Sequence, residues 1–290
     1  MSFFKKTAVA LALATAIAAP AAFAQGHGKV LIVMSGAHTL ELREGKQYAT
    51  GYYLDELAVP LRKLLDAGYT PVFASPNGEA PSVDAKSNDK MFFGGDDAKR
   101  AEALKLVQGE RDLKHPKALS AIIAEGTNNY VGIFIPGGHA PMQDLSRDRD
   151  LGKILKSFHD TARPTGVICH GPTALLSALS DPNAFRDALA RNDYATTAKI
   201  ATGWPYAGYH LTVFATGEER GLEGTSGQLG GSVIYYADDA LAEAGAHVER
   251  VAAYHSNVVV DRELVSGEQP FSSDEFGDAF VAKLEEKPTH

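Results

Sequence analysis

The chain has 290 residues, a formal net charge of −8 at pH 7 and a single cysteine, Cys169. This length suits one large domain, with or without an insertion. The acidic, well-mixed charge argues against nucleic acid and against an anionic membrane surface as partners. Because one cysteine cannot form an internal disulfide, the composition itself raises the question of what Cys169 does.

The N-terminus has the features of a secretory signal peptide. Lys5 and Lys6 are basic, residues 7–19 are apolar and rich in Ala and Leu, and Ala-Phe-Ala at 22–24 supplies the small residues that signal peptidase reads. We predict a signal peptide over residues 1–24, cleaved after Ala24, and a periplasmic or secreted protein; the alternative is an uncleaved anchor. No later segment approaches the ~20 apolar residues of a transmembrane helix, so the mature form is not expected to contact a membrane.

Apolar runs and helical patterns alternate along residues 25–290, which we interpret as a single α/β domain. The predicted strands are 29–34, 71–75, 130–135, 165–168, 199–202, 211–214, 248–252, 258–260 and 264–265. The predicted helices are 54–66, 151–160, 171–179, 232–244 and 273–286. The polar stretch at about 84–117 is predicted to be an inserted, partly helical segment over the sheet edge or the site. This alternation predicts a mostly parallel sheet covered by helices on both faces.

Cys169 directly follows the predicted strand 165–168 and precedes His170 and Gly171. In open α/β sheets, sites form beyond the carboxyl ends of the strands. A strand, a nucleophile, a small residue and a helix in succession are typical of a nucleophile elbow. A thiol there lies at a helix N-terminus, whose dipole favours the thiolate. The alternative is that Cys169 is simply a small buried residue at a strand end.

Two other segments carry residues suited to chemistry at the same edge. The predicted strand 130–135 ends in Pro136-Gly137-Gly138-His139, where unobstructed backbone N–H groups suit an oxyanion; the alternative is an ordinary tight turn. Glu56 lies near the start of the predicted helix 54–66. It is either a carboxylate stabilised by the helix N-terminus or a buried glutamate that bonds to the thiol and carries a proton.

Together these motifs resemble the ThiJ/PfpI superfamily. The resemblance rests on Cys-His-Gly-Pro after a strand, Pro-Gly-Gly-His one strand earlier, and Glu56 four residues before Pro60, and it runs from about Lys29 to Leu284. It implies a class I glutamine-amidotransferase-like fold, a three-layer α/β sandwich with a flavodoxin-like central sheet. Residues 50–60, 66–69, 75–78 and 261–272 look most like the branch of glutathione-independent glyoxalases, protein deglycases and holding chaperones.

The resemblance also implies roles for individual residues. Cys169 matches the nucleophile, His170 the triad histidine and Glu56 the proton-shuttling glutamate. The triad acid is assigned to Glu219, with Glu218 as the alternative. Gly137, Gly138 and His139 are assigned to oxyanion or substrate binding. No cofactor is implied, a homodimer is usual, and the scattered histidines show no ligand spacing that would predict a metal site.

The activity implied is addition of the thiolate to the aldehyde of methylglyoxal, followed by proton transfer through Glu56 and release of lactate, or deglycation by the same groups. This corresponds to a glyoxalase of the D-lactate dehydratase class. The stretch 203–209 resembles an insertion that lines or caps the pocket, and it leaves the substrate open.

Three alternatives remain at this point. A glutaminase would pair Cys169 with His247-Val248-Glu249. A peptidase or amidase would use Cys169, His170 and Glu219 as a hydrolytic triad. A chaperone or thiol redox sensor would need no turnover. Glu56 distinguishes the isomerase from the hydrolase, because acyl transfer does not require it.

Overall fold

The computed structural model describes residues 26–286. The predicted signal peptide, residues 1–24, lies outside the described residues. None of the helices between residues 26 and 286 has the length and apolar character needed to cross a membrane.

The strands are β1 (Lys29–Val33), β2 (Thr39–Glu41), β3 (Gln47–Ala49), β4 (Thr70–Ser75), β5 (Lys117–Ala118), β6 (Gly132–Ile135), β7 (Thr165–Ile168), β8 (His210–Leu211), β9 (His247–Val248), β10 (Val258–Asp261) and β11 (Leu264–Gly267). The α-helices are α1 (Leu54–Asp66), α2 (Asp97–Gly109), α3 (Arg111–Lys114), α4 (Leu119–Glu125), α5 (Ala140–Gln143), α6 (Arg149–Asp160), α7 (Pro182–Ala190), α8 (Tyr194–Ala201), α9 (Thr216–Leu222), α10 (Ala237–Glu243) and α11 (Ser273–Glu285). Short 3₁₀ helices cover Arg43–Gly45, Ala85–Ser87, Lys90–Phe93, Thr127–Asn129, Leu145–Arg147, Gly171–Ala178 and Pro270–Ser272.

The central sheet has the strand order β10-β11-β7-β6-β1-β4-β5 within the described part of the chain. All its neighbouring strands are parallel except β10 and β11, which pair antiparallel. Side chains alternate between the two faces: Leu31 and Val33 join the hydrophobic cluster under α6, whereas Val30 and Ile32 join the cluster under α1 and α11. The predicted three-layer, mostly parallel α/β sandwich is confirmed.

Helix α1 has the predicted bounds, Leu54–Asp66. Its apolar residues recur at helical spacing, and Leu54, Leu57 and Leu61 are fully buried. Gly68, at a φ of +81°, follows its C-terminus, a backbone conformation that glycine adopts without strain. Because α1 begins at the carboxyl edge of the sheet, its first turn carries Glu56 into the interior.

The polar segment 84–117 contains α2 and α3, and it ends in β5, which pairs with β4 at the edge of the sheet. Helix α2 packs on α1. The turn at Met91 and Phe92 reaches the wall of a pocket at the carboxyl edge. The segment therefore lies beside both the sheet edge and that pocket.

Several predicted elements differ from those observed. The prediction of a strand at 199–202 is wrong. Residues 199–201 form the last turn of α8, and Thr202 follows it; the helix is stabilised at its start by the Asp193 side chain, which accepts from the Thr196 backbone N–H. The segment after Cys169 is a 3₁₀ rather than an α-helix. Three predicted elements are shorter in the structure: the strand predicted at 211–214 is β8 (His210–Leu211), the helix predicted at 232–244 is α10 (Ala237–Glu243), and the strand predicted at 248–252 is β9 (His247–Val248). The β2–β3 hairpin and α7 were not predicted.

The aromatic stretch 203–209 belongs to the hydrophobic core. Trp204 is buried and donates from Nε1 to the Leu175 carbonyl at 2.9 Å, and Tyr206 donates to the Leu155 carbonyl at 3.3 Å. These side chains fill the space between the 3₁₀ helix Gly171–Ala178 and α6. The prediction that this stretch lines or caps the pocket is therefore wrong.

Candidate active site

Cys169 occupies a strained turn directly after β7. Its φ is +59°, in the left-handed region that non-glycine residues rarely adopt. Two neighbours hold it there: its N–H donates to the Gly267 carbonyl at 2.9 Å, and its carbonyl accepts from the Phe214 N–H at 3.0 Å. A Cβ on Gly171 would lie 2.5 Å from the Ile135 carbonyl oxygen, so the chain leaves the turn only through a glycine. This is the geometry expected of a nucleophile elbow.

A hydrogen-bonded chain runs from the thiol to a carboxylate. Cys169 Sγ lies 3.3 Å from His170 Nδ1, and His170 Nε2 lies 2.6 Å from Glu219 Oε2 on α9. The His170 ring stacks on Phe214, with ring centres 4.6 Å apart. The structure thus brings together the three residues that the sequence assigned to a triad, and it selects Glu219 over Glu218.

His139 is a second imidazole on the same carboxylate. Its Nε2 lies 2.8 Å from Glu219 Oε1, and its ring centre is 4.1 Å from that of His170. Its Nδ1 is buried and has no hydrogen-bond partner among residues 26–286. The sequence grouped His139 with the glycines before it; its contact with Glu219 was not predicted.

The electrostatics of this cluster follow from its geometry. Burial alone would raise the pKa of Glu219, but the charges and hydrogen bonds of His139 and His170 hold that pKa well below its ordinary value. Burial opposes a charge on both histidines. Glu219 nevertheless raises the pKa of His139, whereas burial and the neighbouring His139 lower the pKa of His170. When His170 is neutral and donates its Nε2–H to the Glu219 carboxylate, its Nδ1 carries no proton and can accept a hydrogen bond from the thiol.

Glu56 reaches the thiol from the other side and is fully buried. A Cβ placed on Gly137 would lie 2.6 Å from both Cys169 Cβ and Glu56 Oε2, so only glycine allows the two side chains to meet there. Within the described chain, neither Glu56 oxygen has a hydrogen-bond partner of ordinary geometry.

Burial and the Asp55 charge raise the pKa of Glu56, and burial and the Glu56 charge raise the pKa of Cys169. These effects exceed the opposing influence of the Gly138 and His170 N–H groups on the thiol. The N–H groups of Gly138 and His170 thus act in the predicted direction, toward the thiolate, but burial and the Glu56 charge outweigh them. Because two adjacent buried groups resist a double negative charge, Glu56 and Cys169 together hold at least one proton.

The thiol opens into a cavity of about 200 Å³. Its polar lining consists of Cys169, His170, His139, Glu218, Gln228 and Gln269. Aromatic residues dominate the remaining wall, among them Tyr53, Phe92, Phe214 and Phe271, and exposed Met91 and Tyr254 lie at its rim. Apart from Phe214, which precedes the predicted triad acid, these wall residues were not predicted, because they come from loops and short 3₁₀ helices without a periodic sequence pattern.

Glu218 faces this pocket rather than the triad. Its Oε1 accepts from the Tyr254 N–H at 3.0 Å, while its buried Oε2 lacks a partner among the residues described. Burial raises the pKa of this carboxyl, as do the nearby Glu268 and Glu219. The neighbouring carboxylates of α9 therefore have separate surroundings.

The glutaminase arrangement is not present. His247 is exposed on β9, and its ring lies 4.9 Å from that of His210. The thiol is instead buried against His170. The alternative that pairs Cys169 with His247 and Glu249 is therefore wrong.

The amino-acid sequence is similar to those of known proteins over most of its length. Residues 48–180 match the DJ-1/PfpI family. Over 266 residues the chain is 28% identical to the protein/nucleic acid deglycase HchA of Staphylococcus aureus strain JH9, covering 91% of this chain and 82% of that protein.

Two solved structures share the fold. Glyoxalase III from Candida albicans has a TM-score of 0.67 at 23% identity, covering 89% of this chain and 98% of that one. The Rapid Encystment Protein 24 kDa of Francisella tularensis has a TM-score of 0.65 at 22% identity, covering 89% and 100%. With the elbow cysteine and the mostly parallel sheet, these matches show that the chain is similar to the DJ-1/PfpI family, the ThiJ/PfpI superfamily that its sequence motifs resemble.

Proposed function

We propose that this protein is a cofactor-independent enzyme that acts on reactive carbonyls such as methylglyoxal, as a glyoxalase of the D-lactate dehydratase class or as a deglycase. The observation that carries the proposal is the buried Glu56 carboxyl packed against the Cys169 thiol across Gly137. A base beside a thiol-bound carbonyl is what proton transfer between adjacent carbons requires. The 28% identity to a deglycase supports the carbonyl class of substrate.

The first step forms a bond between Cys169 Sγ and the aldehyde carbon. The thiol proton passes through Glu56 or His170 to the aldehyde oxygen, which gives a neutral hemithioacetal. The Gly137 and Gly138 backbone and His139 are the proposed stabilisers of negative charge on that oxygen. His170 is suited to accept the proton because its Nδ1 lies 3.3 Å from the sulfur.

The second step moves a proton within the bound adduct. The Glu56 carboxylate removes the hydrogen from the former aldehyde carbon, giving an enediolate, and returns that proton to the adjacent carbon, while the hydroxyl proton of the former aldehyde oxygen moves to the oxygen of the adjacent carbon. The product is a thioester on Cys169. Water then cleaves the carbon–sulfur bond, releasing lactate and restoring the thiol, so the net reaction is hydration of methylglyoxal to lactate. No redox change of the protein is needed.

The hydrolase is a second candidate, because the Cys169–His170–Glu219 chain has the connectivity of a hydrolytic triad. The two functions differ in their need for Glu56. An amidase needs the triad and tolerates loss of the Glu56 charge, whereas the isomerisation depends on Glu56 as the base.

The test is a panel of dicarbonyls, glycated amines and small amides assayed with wild type, Cys169→Ala and Glu56→Gln. We expect both variants to lose methylglyoxal turnover, with Glu56→Gln lowering kcat by about 10²–10⁴-fold. The exposed Glu102→Gln on α2 serves as the matched control and keeps full activity. Methylglyoxal turnover that is unchanged in Glu56→Gln overturns the mechanism, and amide cleavage in its place supports the hydrolase. If the protein prevents aggregation of an unfolded protein but turns over no compound of the panel, the chaperone alternative is supported.

Export and assembly complete the proposal. We infer from the N-terminal sequence that the protein is periplasmic or secreted after cleavage behind Ala24. From the family resemblance we infer a homodimer that acts on a small carbonyl substrate without a nucleic-acid or membrane partner.

A further inference from the structure

We propose that His139, His170 and Glu219 form a binding site for a divalent transition-metal ion of zinc's class. Their donor atoms, one from each side chain, all lie within 4.8 Å of one another, and all three residues are buried. Two imidazole nitrogens and one carboxylate oxygen are a donor set that Zn²⁺ accepts, with solvent in the fourth position. Spacing along the sequence could not reveal this set, because Glu219 lies 80 residues from His139 and 49 from His170.

The geometry needs only a small adjustment. The Nε2 atoms of His139 and His170 now lie 2.8 and 2.6 Å from different Glu219 oxygens. Tetrahedral zinc with bonds of about 2.0–2.1 Å separates its ligands by roughly 3.3 Å. Each hydrogen-bonded nitrogen–oxygen pair would therefore open by less than ~1 Å, and the widest donor separation, which is within 4.8 Å, would close by at most ~1.5 Å. Both histidines line the open cavity, which gives an ion a route to the site and leaves space for a bound water.

The surroundings favour a cation. Three further carboxyl side chains are buried in this region: Glu218, Glu268 near Glu218, and Asp238, which is already paired with Arg250 at 2.7 Å. Glu218 lines the same cavity, and its buried Oε2 has no hydrogen-bond partner among the described residues. Buried negative charge around neutral nitrogen ligands lowers the cost of placing a dication there.

Occupancy would change what His170 offers the thiol. A metal on Nε2 takes the nitrogen that now faces Glu219, so the ring proton moves to Nδ1. His170 then donates toward Cys169 instead of accepting from it. Resting on the proposed function, this predicts that Zn²⁺ reversibly lowers carbonyl turnover. Binding itself is measured without substrate, so it succeeds or fails independently of that function.

The test is calorimetric titration of ZnCl₂ into the untagged, chelator-treated protein. Wild type should bind one ion, and His139→Asn should weaken the affinity by roughly tenfold or more. His38→Asn is the matched control, because His38 is exposed and its Nδ1 lies 2.9 Å from the Ser82 hydroxyl, outside the proposed site. This variant should bind Zn²⁺ as wild type does. Circular dichroism shows whether each variant is folded.

Two further measurements keep the site falsifiable should His139→Asn fail to fold. Glu219→Gln should also weaken binding, and Co²⁺ should give a visible absorption band of a four- or five-coordinate ion that Zn²⁺ displaces. Absence of saturable Zn²⁺ binding by wild type overturns the proposal. So does binding of equal affinity in wild type and in any folded variant at His139 or Glu219.

Discussion

At Cys169 the backbone is strained, and both of its backbone polar groups are used to hold that strain. The N–H bonds to β11 and the carbonyl bonds to Phe214, so neighbouring segments fix a φ of +59°. A left-handed conformation costs an L-residue about 1–2 kcal/mol. In return, the side chain projects from the strand end between Glu56 and His170 instead of into the sheet.

This strain can be isolated with two variants that both lack the thiol. Cys169→Gly should be more stable than Cys169→Ala by about 0.5–1 kcal/mol, because glycine adopts positive φ without a Cβ penalty, partly offset by its greater entropy in the unfolded chain. Urea unfolding gives the free energies. An alanine variant equal to or more stable than the glycine variant would show that the turn is not strained.

Single residues were predicted from the sequence to different degrees. Cys169, His170 and Glu56 could be chosen because each lies beside a clear strand or helix end. Glu219 was assigned ahead of Glu218 on the family resemblance, but the residues themselves do not separate the two, since a one-residue shift on a short helix redirects the side chain by about 100°. The role of Gly137 also depends on a close contact that has no sequence signature.

Helix α9 presents adjacent carboxylates to two different environments. Glu219 bridges two histidines, whereas Glu218 faces the cavity and the Tyr254 backbone. The two residues form a natural matched pair, because the substitutions are chemically identical and one position apart.

We expect Glu219→Gln to lower kcat/KM by about 10²-fold or more, since it removes the negative charge that orients His170. Glu218→Gln should change KM more than kcat, because glutamine still accepts from Tyr254 but presents an altered group to the substrate. Steady-state kinetics on the best substrate of the panel measure both. Equal losses in kcat for the two variants would contradict this division of roles.

Elements were predicted best where they are long or fully buried. The bounds of α1 and β7 were predicted correctly: a leucine stripe marks α1, and β7 is a short, fully buried strand between Pro164 and the Cys169-His170-Gly171 turn. The stretch 199–202 was mistaken for a strand because the capping by Asp193 outweighs a short apolar pattern. The hairpin β2–β3 has only three residues in each strand and shows little periodicity.

The pH dependence of the stability of the whole molecule depends on two adjacent carboxyl groups, Asp55 and Glu56, which are both fully buried. Ser273, at the start of α11, donates to Asp55 Oδ2 at 2.8 Å, and Oδ1 has no partner in residues 26–286. Burial raises the pKa of Asp55 from 3.8 to about 7. The folded state therefore keeps a proton that the unfolded chain gives up, and stability falls as pH rises from about 4 to about 7.

Asp55→Asn removes this titration while keeping an oxygen for Ser273. Its free energy of unfolding, relative to wild type, should increase between pH 4 and pH 8 by an amount on the order of 2–4 kcal/mol. Urea unfolding across this range measures the difference, with the exposed Asp112→Asn as control. A relative stability that is flat or decreases with pH would exclude a protonated Asp55 in the folded protein.

The fold as a whole was predictable because alternating strands and helices leave few arrangements of a parallel sheet. The same topology predicts that residues 56, 137–139 and 169 meet at one edge. The pocket wall was not predictable, since Phe92, Tyr254 and Phe271 come from loops and short 3₁₀ helices whose paths depend on tertiary contacts such as those of Glu218 and Gln269.

Trp204 is the only tryptophan of the chain, and its indole N–H is tied to Leu175, in the 3₁₀ helix that follows the reactive cysteine. The protein therefore carries an intrinsic fluorophore directly behind the segment that supports the elbow. Its emission reports on the integrity of that support. Because Trp204 lies in the core and not in the cavity wall, a ligand that fills the cavity cannot quench it by contact.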